Sequence, residues 1–332
     1  MSYEAIWKSI IRPPRQVYMT YSLGAKKFSV RGKNYRRKDL TLVNRRGQKL
    51  ECSHFKPRKK ERVAKILPCV VYLHCNAGSR LESLSLVKRL LPLNITVFCF
   101  DFAGCGISEG EYITLGWNEK DDLAVVIEYL RLTKKVSFIG LWGRSMGAVT
   151  ALLYGKIDPS IAAIVADSPF YSLKMVIKDQ AKKYARVPGF IISAARKLVK
   201  KTILKKTGFN IDLLNIQEHV SQCFIPILFI HGVDDNFIYP KHTEKLNELY
   251  GGEKDRLLVE GNHNCERPKY LLDSVAIYFY NALRCDLLPD PRIKHNRRIS
   301  KKLPKLINLE ASTLFQKQLN DEEEFIRKLV KE

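Results

Sequence analysis

Residues 136–148 read VSFIGLWGRSMGA, and no other stretch restricts the fold as tightly. Val136 to Trp142 is β-branched and aromatic, the composition of a buried strand, and the apolar residues from Ala148 onward recur at helical spacing. Between the two patterns Gly143 and Gly147 flank Ser145, where neither a strand nor a helix gains from glycine. The segment therefore reads as a strand that turns into a helix through a sharp corner. Ser145 sits at the tip in strained backbone, and the glycines occupy positions where a side chain would collide. Such a corner lifts the serine hydroxyl clear of the sheet and sets the Met146 N–H beside it, at the start of the helix.

The flanking sequence supplies the rest of a layered fold. Asp39–Pro57 reads as two strands joined by a turn at Arg45–Gly47. Further strands are expected at Cys69–Cys75, Ile95–Phe102, Ile161–Pro169, Ile225–Gly232 and Asp255–Gly261. Helical spacing marks Leu81–Pro92, Trp117–Leu132, His242–Tyr250 and Tyr270–Ala282. Strands apolar along their whole length, alternating with helices, predict an α/β fold with a mostly parallel sheet covered on both faces. The alternation breaks between Ser168 and Pro226. There Gly189–Gly208 reads as a basic helix, with Lys197, Lys200, Lys201 and Lys205 on one face. Ile191, Ala194, Ala195, Leu198 and Val199 are expected on the other. We read residues 171–215 as a helical cap inserted into a domain spanning 39–285. A basic segment, 1–38, precedes that domain, and a charged, partly helical tail, 286–332, follows it.

The net charge of +23 is concentrated. Residues 1–68 hold 19 Lys/Arg against 4 Asp/Glu, and residues 171–207 hold 11 against 1, so the remainder is nearly neutral. Two basic segments on a neutral body point to an anionic partner, a membrane surface in particular. Nucleic acid is disfavoured, because the aromatic–basic motifs of the known binding modules are missing. The first residues do not read as a secretory signal or a myristoylation site, and no apolar run approaches the ~20 residues that span a bilayer. None of the eight cysteines forms a C-x-x-C pair, and several lie within apolar strands, as expected of buried free thiols in the cytoplasm. No P-loop, H-E-x-x-H or paired cysteine ligand set is present, so neither a metal nor a cofactor is expected. The spaced glycines of Asp101–Gly110 lack the third glycine and the downstream acid of a dinucleotide site, and read as a structural turn.

A serine raised on such a corner becomes a nucleophile only with a base, an acid that orients the base, and donors for the oxyanion. Asp234 and Asp235 lie just past the strand ending at Gly232, and His263 lies in the loop after Gly261. Serine, acid and histidine thus follow in chain order at the C-terminal ends of strands, where sites in open α/β sheets form. His74 and His231 also open strand-end loops and read as structural. The loop LHCNAGSRLES after the earlier strand is free of proline, and its Asn76 N–H is the expected partner of the Met146 N–H in an oxyanion hole. Cys265 lies two residues beyond His263 and reads as neither ligand nor nucleophile.

Together these stretches resemble the α/β-hydrolase superfamily, in its serine-aminopeptidase-like and domain-17-like branch. LHCNAG resembles that branch's H-G-N-[AS]-G loop, with Cys75 in place of the usual glycine. DFAGCGISEG resembles its D-[FY]-x-G-x-G-x-S-x-G turn, GRSMG its nucleophile elbow, HGVDDNFI its acid loop and GNHN its histidine loop. Aligned in this way, the resemblance implies that Asp235, rather than Asp234, is the acid. It further implies a serine hydrolase acting on an ester or thioester of an acyl-type small molecule through Ser145, Asp235 and His263. A peptidase or amidase, and a non-catalytic lipid- or protein-binding scaffold, are the alternatives.

Overall fold

The computed structural model describes residues 2–181 and 189–289, with the side chains of 181 and 189–195 outside the described set. A nine-stranded sheet runs through them in the order β1-β2-β3-β5-β4-β6-β7-β8-β9. The strands are β1 (Lys27–Val30), β2 (Lys33–Val43), β3 (Lys49–Pro57), β4 (Leu67–Leu73), β5 (Thr96–Phe100), β6 (Val136–Arg144), β7 (Ala163–Asp167), β8 (Ile227–Gly232) and β9 (Lys254–Val259). β1, β2, β3 and β5 pair antiparallel. From β5 through β4, β6, β7 and β8 to β9 the pairing is parallel. Every residue of β4, β5 and β7 is buried, which explains their uninterrupted apolar sequences.

Two layers of helix provide that burial. On one face α3 (Glu119–Leu132) and α4 (Met146–Ile157) seat Leu123, Ile127, Val149 and Leu152 in a core with Val71 and Leu141. On the other, α2 (Leu84–Leu90) and α9 (Lys269–Ala282) seat Leu90, Val275 and Phe279 against Val70 and Val165. Glu119, buried at the start of α3, accepts from the Thr114 and Gly116 N–H groups, so its carboxylate ties the preceding turn to the start of the helix.

The basic N-terminal segment is built into the body. α1 (Tyr3–Ile11) buries Trp7 and Ile11 in the α3/α4 core. Beyond it the Arg15 guanidinium donates to the carbonyls of Gly104, Ser108 and Gly110. The Tyr18 hydroxyl donates to Asp101 at 2.8 Å and accepts from Arg80 at 2.5 Å. β1 and β2 follow, so the boundary at residue 38 falls inside β2.

The region between β7 and β8 contains α5 (Leu173–Ala181), α6 (Gly189–Thr207) and the short α7 (Gln217–Val220), with no strand among its described residues. The face expected on α6 needs correction. Val199 and Ile203, four residues apart, are buried in the α3/α4 core, and the Tyr3 hydroxyl of α1 donates to the Leu198 carbonyl. Leu198 is turned about 100° from Val199 and stays 56% exposed. Lys197, Lys201 and Lys205 are exposed with it, whereas Lys200 pairs with Asp212. The side chains of Ile191, Ala194 and Ala195, and the tail helix expected after residue 290, lie outside the described residues.

Candidate active site

The corner after β6 has the geometry that its glycines suggested. Ser145 lies at φ 51° and ψ −112°, a strained conformation for a residue with a side chain. Its N–H donates to the Asp167 carbonyl at 2.7 Å, which fixes the corner to β7. A Cβ on Gly143 would lie 2.1 Å from the Gly147 carbonyl oxygen, and one on Gly147 would lie 2.0 Å from that of Leu73. Both obstacles are backbone atoms, so only glycine fits either position.

Ser145, His263 and Asp235 meet at this corner. Ser145 Oγ lies 3.0 Å from His263 Nε2, and His263 Nδ1 lies 2.6 Å from Asp235 Oδ2. The carboxylate only accepts, so Nδ1 carries a proton and Nε2 is left to receive the serine hydroxyl. Asp235 is held from several sides. Its Oδ1 accepts the N–H groups of Phe237 and Ile238, and His231 Nε2 lies 3.2 Å from Oδ2. Burial acts to raise its pKa, but the hydrogen bonds from His231 and His263 outweigh that and keep the carboxyl well below the usual range. All three side chains are largely shielded, and the Phe237 ring lies 5.2 Å from the His263 ring. Asp234 is exposed, and its backbone N–H donates to the Gly261 carbonyl.

On the other side of Ser145, Met146 opens α4 and Asn76 lies in the turn after β4. Among the described residues neither the Asn76 N–H nor the Met146 N–H has an acceptor. The Asn76 carbonyl is turned away, accepting from the Cys105 thiol. Cys75 lies beside Glu82, with Sγ 3.1 Å from Oε1. Burial and that carboxylate push its thiol up to about 12, which leaves it unreactive as a nucleophile. His74 and His231 are fully buried. His74 Nε2 accepts from the Phe102 N–H, and His231 bridges Thr243 and the Ile238 carbonyl.

Two arginines that the sequence reading did not single out fasten the histidine loop. Arg144, the residue before the serine, donates to the carbonyls of His263 and Cys265 at 2.8 and 2.7 Å. Arg267 grips Asp167 with two hydrogen bonds of 2.9 and 2.7 Å and also donates to Ser168 Oγ and the Asn262 carbonyl. Since Asp167 also anchors the Ser145 N–H, one residue at the end of β7 ties the Ser145 corner to the His263 loop. The signals were present as Arg144 in GRSMG and Arg267 just past His263, but the carbonyls bonded by Arg144 and the Asp167 and Ser168 side chains bonded by Arg267 lie more than 90 residues away. Among the described residues no group of three His, Cys, Asp or Glu side chains could hold a metal ion.

The family model described as the alpha/beta hydrolase fold matches residues 68–207. Sheet order, elbow and helical layers agree with it, and the chain has the α/β-hydrolase fold. The chain is 30% identical over 198 residues to the uncharacterized protein YqkD of Bacillus subtilis, covering 58% of this chain and 64% of that protein. It is 28% identical over 190 residues to ABHD12B of Homo sapiens, covering 55% and 49%. A lysophosphatidylserine lipase of Danio rerio, ABHD12, is 26% identical over 195 residues, covering 56% and 48%. The chain thus spans roughly half to two thirds of these relatives' own length. Among solved structures the Pyrococcus furiosus esterase Pf2001 superposes with a TM-score of 0.60 at 21% identity, covering 81% of this chain and 99% of that one. This last likeness is one of fold.

Proposed function

We propose that the chain is a serine hydrolase that cleaves an ester or thioester of an acyl-type substrate. The observation carrying this reading is the continuous hydrogen-bonded line from Ser145 Oγ through His263 to Asp235. In this reading Ser145 Oγ attacks the acyl carbonyl as His263 Nε2 takes its proton. The imidazolium, stabilised and oriented by Asp235, then gives that proton to the departing alcohol or thiol, leaving an acyl-enzyme. Water enters, loses a proton to His263 and releases the acid, and the proton returns to Ser145. The Asn76 and Met146 N–H groups receive the oxyanion in both steps, each contributing about 3 kcal/mol to the transition state. No step needs a metal or cofactor.

The relatives' printed names, an esterase and a lysophosphatidylserine lipase, favour carboxylic esters carrying an acyl chain. An anionic membrane is the partner we propose for α6. Its outer face sets the exposed Leu198 and Leu204 among Lys197, Lys201 and Lys205, a pairing of apolar and basic side chains suited to the headgroup boundary. No helix among the described residues is long and apolar enough to cross a membrane. Labelling with a fluorophosphonate probe and an ester series of increasing acyl length test the enzyme reading. Wild type labels and turns over, and Ser145→Ala does neither while keeping its fold. Cleavage of amides but not esters would move the assignment to a peptidase, and an unlabelled wild type would leave only a binding scaffold.

A further inference from the structure

We propose that the edge of the sheet formed by β1, β2 and β3 carries a binding site for a small ligand bearing two or more phosphate groups. The site is a cleft of about 530 Å³ lined by Lys27, Asn34, Arg36, Arg58, Lys59, Lys60 and Glu61. That volume lies within the ~300–1,000 Å³ usual for small-molecule sites.

The register of the strands carries the argument. Lys27 of β1 stands directly opposite Arg36 of β2, and Arg36 stands directly opposite Lys56 of β3. Directly opposed residues on antiparallel strands share a face, so three cations form one row, spaced by the ~4.8 Å between strands. Like charges so placed repel, and a sheet gains nothing from them. Adjacent positions add to the row. Lys38 opposes His54, and the Arg58 N–H bonds to the Asn34 carbonyl, bringing Arg58 alongside. The one carboxylate of the cleft, Glu61, accepts from the Asn34 amide.

Lys56 registers the consequence. Arg36 and Lys38 face it from β2, Arg62 from the segment after β3 and Lys135 from the turn before β6. Burial first, and then these four cations, bring its pKa down to about 8. Burial, and then Lys56, Arg62, Lys38 and Arg36, depress the pKa of His54, and burial together with Arg36 lowers that of the half-buried Arg62. A polyphosphate relieves this repulsion, and arginine's planar fork matches phosphate oxygens. A cleft of this size without aromatic lining suits a compact polyanion rather than a nucleic-acid strand.

The site is separate from the candidate active site. β3 runs antiparallel to β5 with Phe55 opposite Val97, so Lys56 lies level with Thr96 at the N-terminal end of β5 and Arg58 to Glu61 lie beyond it. Ser145 and His263 follow the C-terminal ends of β6 and β9. The inference therefore stands independently of the hydrolase reading.

The test is calorimetric titration of the full chain with inorganic tripolyphosphate near pH 8, in two buffers of different ionisation enthalpy. Saturable binding with net proton uptake is expected, because the anion raises the pKa of Lys56. Lys56→Gln should abolish the uptake. Arg36→Gln combined with Arg58→Gln should weaken binding at least tenfold, yet raise the melting temperature of the free protein and leave ester turnover unchanged. Vesicles containing a polyphosphorylated phosphoinositide identify the source. If they bind and tripolyphosphate displaces them, the ligand is a lipid headgroup, and if only tripolyphosphate binds, it is soluble. No binding at low salt, equal binding by the double variant, or binding of RNA alone would each overturn the proposal.

Discussion

Arg267 offers the sharpest test of how the candidate site is held. Its guanidinium forms a bidentate pair with Asp167, and the two side chains are only 3% and 2% exposed. Arg267→Met leaves the Asp167 carboxylate buried, with Ser168 Oγ as its remaining side-chain donor. Breaking one side of a buried pair costs about 3–5 kcal/mol. At roughly 2–4 °C per kcal/mol for a domain of this size, the melting temperature should fall by about 10 °C. The Asn262 carbonyl also loses its guanidinium donor and keeps only the Cys265 thiol, loosening the loop that carries His263. A base displaced by about 1 Å should lower kcat some 10²-fold with little change in KM. A companion variant separates the two effects. Asp167→Asn with Arg267→Met removes the stranded charge and should recover most of the lost stability, but kcat should stay low. Calorimetric melting and ester kinetics on the three proteins decide. If the double variant regains full kcat along with its stability, Arg267 is a support for the fold and does not position the base.

The remaining predictions are more local. Gly147→Ala should abolish soluble, folded protein in an expression and circular-dichroism assay, because its Cβ would meet the Leu73 carbonyl at 2.0 Å. Asp235→Asn should lower kcat about 10⁴-fold by losing the correct histidine tautomer, while Asp234→Asn stays within a few-fold; the opposite ranking in steady-state kinetics would exchange their roles. Burial lowers the pKa of His242 to about 4, outweighing the nearby Asp179. Its contribution to stability is therefore complete above its ordinary pKa of about 6.5 and is lost as pH falls through 4, by roughly 3 kcal/mol. Urea unfolding between pH 7 and pH 3.5 should show that loss, and His242→Gln should flatten it.

The parallel half of the sheet was legible because β4, β5 and β7 are buried on both faces and carry no polar residue until their ends. The elbow was legible because two close backbone contacts exclude every residue but glycine at 143 and 147. β1 and α1 escaped notice. Only alternate residues of β1 are even half-buried, and α1 gains its apolar environment from residues more than 90 positions away. The pattern on α6 misled at Leu198, because hydropathy shows that a helix has an apolar side but not which of its leucines meets a neighbour. Chain order and spacing brought Ser145, Asp235 and His263 within reach of inference. The Arg144 and Arg267 contacts were not, since guanidinium bonds to distant carbonyls leave no periodic trace.

The docking of α1 bears on the order in which the molecule assembles. The Tyr3 hydroxyl on the Leu198 carbonyl closes a loop of 195 residues, and the Ile11 carbonyl accepts from Ile113 across about half that distance. Neither contact can form until α6 and the turn after β5 have taken shape, so α1 is among the last of the described helices to settle. Closure over such lengths carries an entropic cost, offset by the burial of Trp7 and Ile11, a few hydrogen bonds, the Lys206 ammonium over the Trp7 ring and the Arg12–Glu111 pair. Segments with so few long-range contacts are the first to open. Release of α1 would uncover Ile113 and the inner side of α6 while leaving the parallel sheet whole.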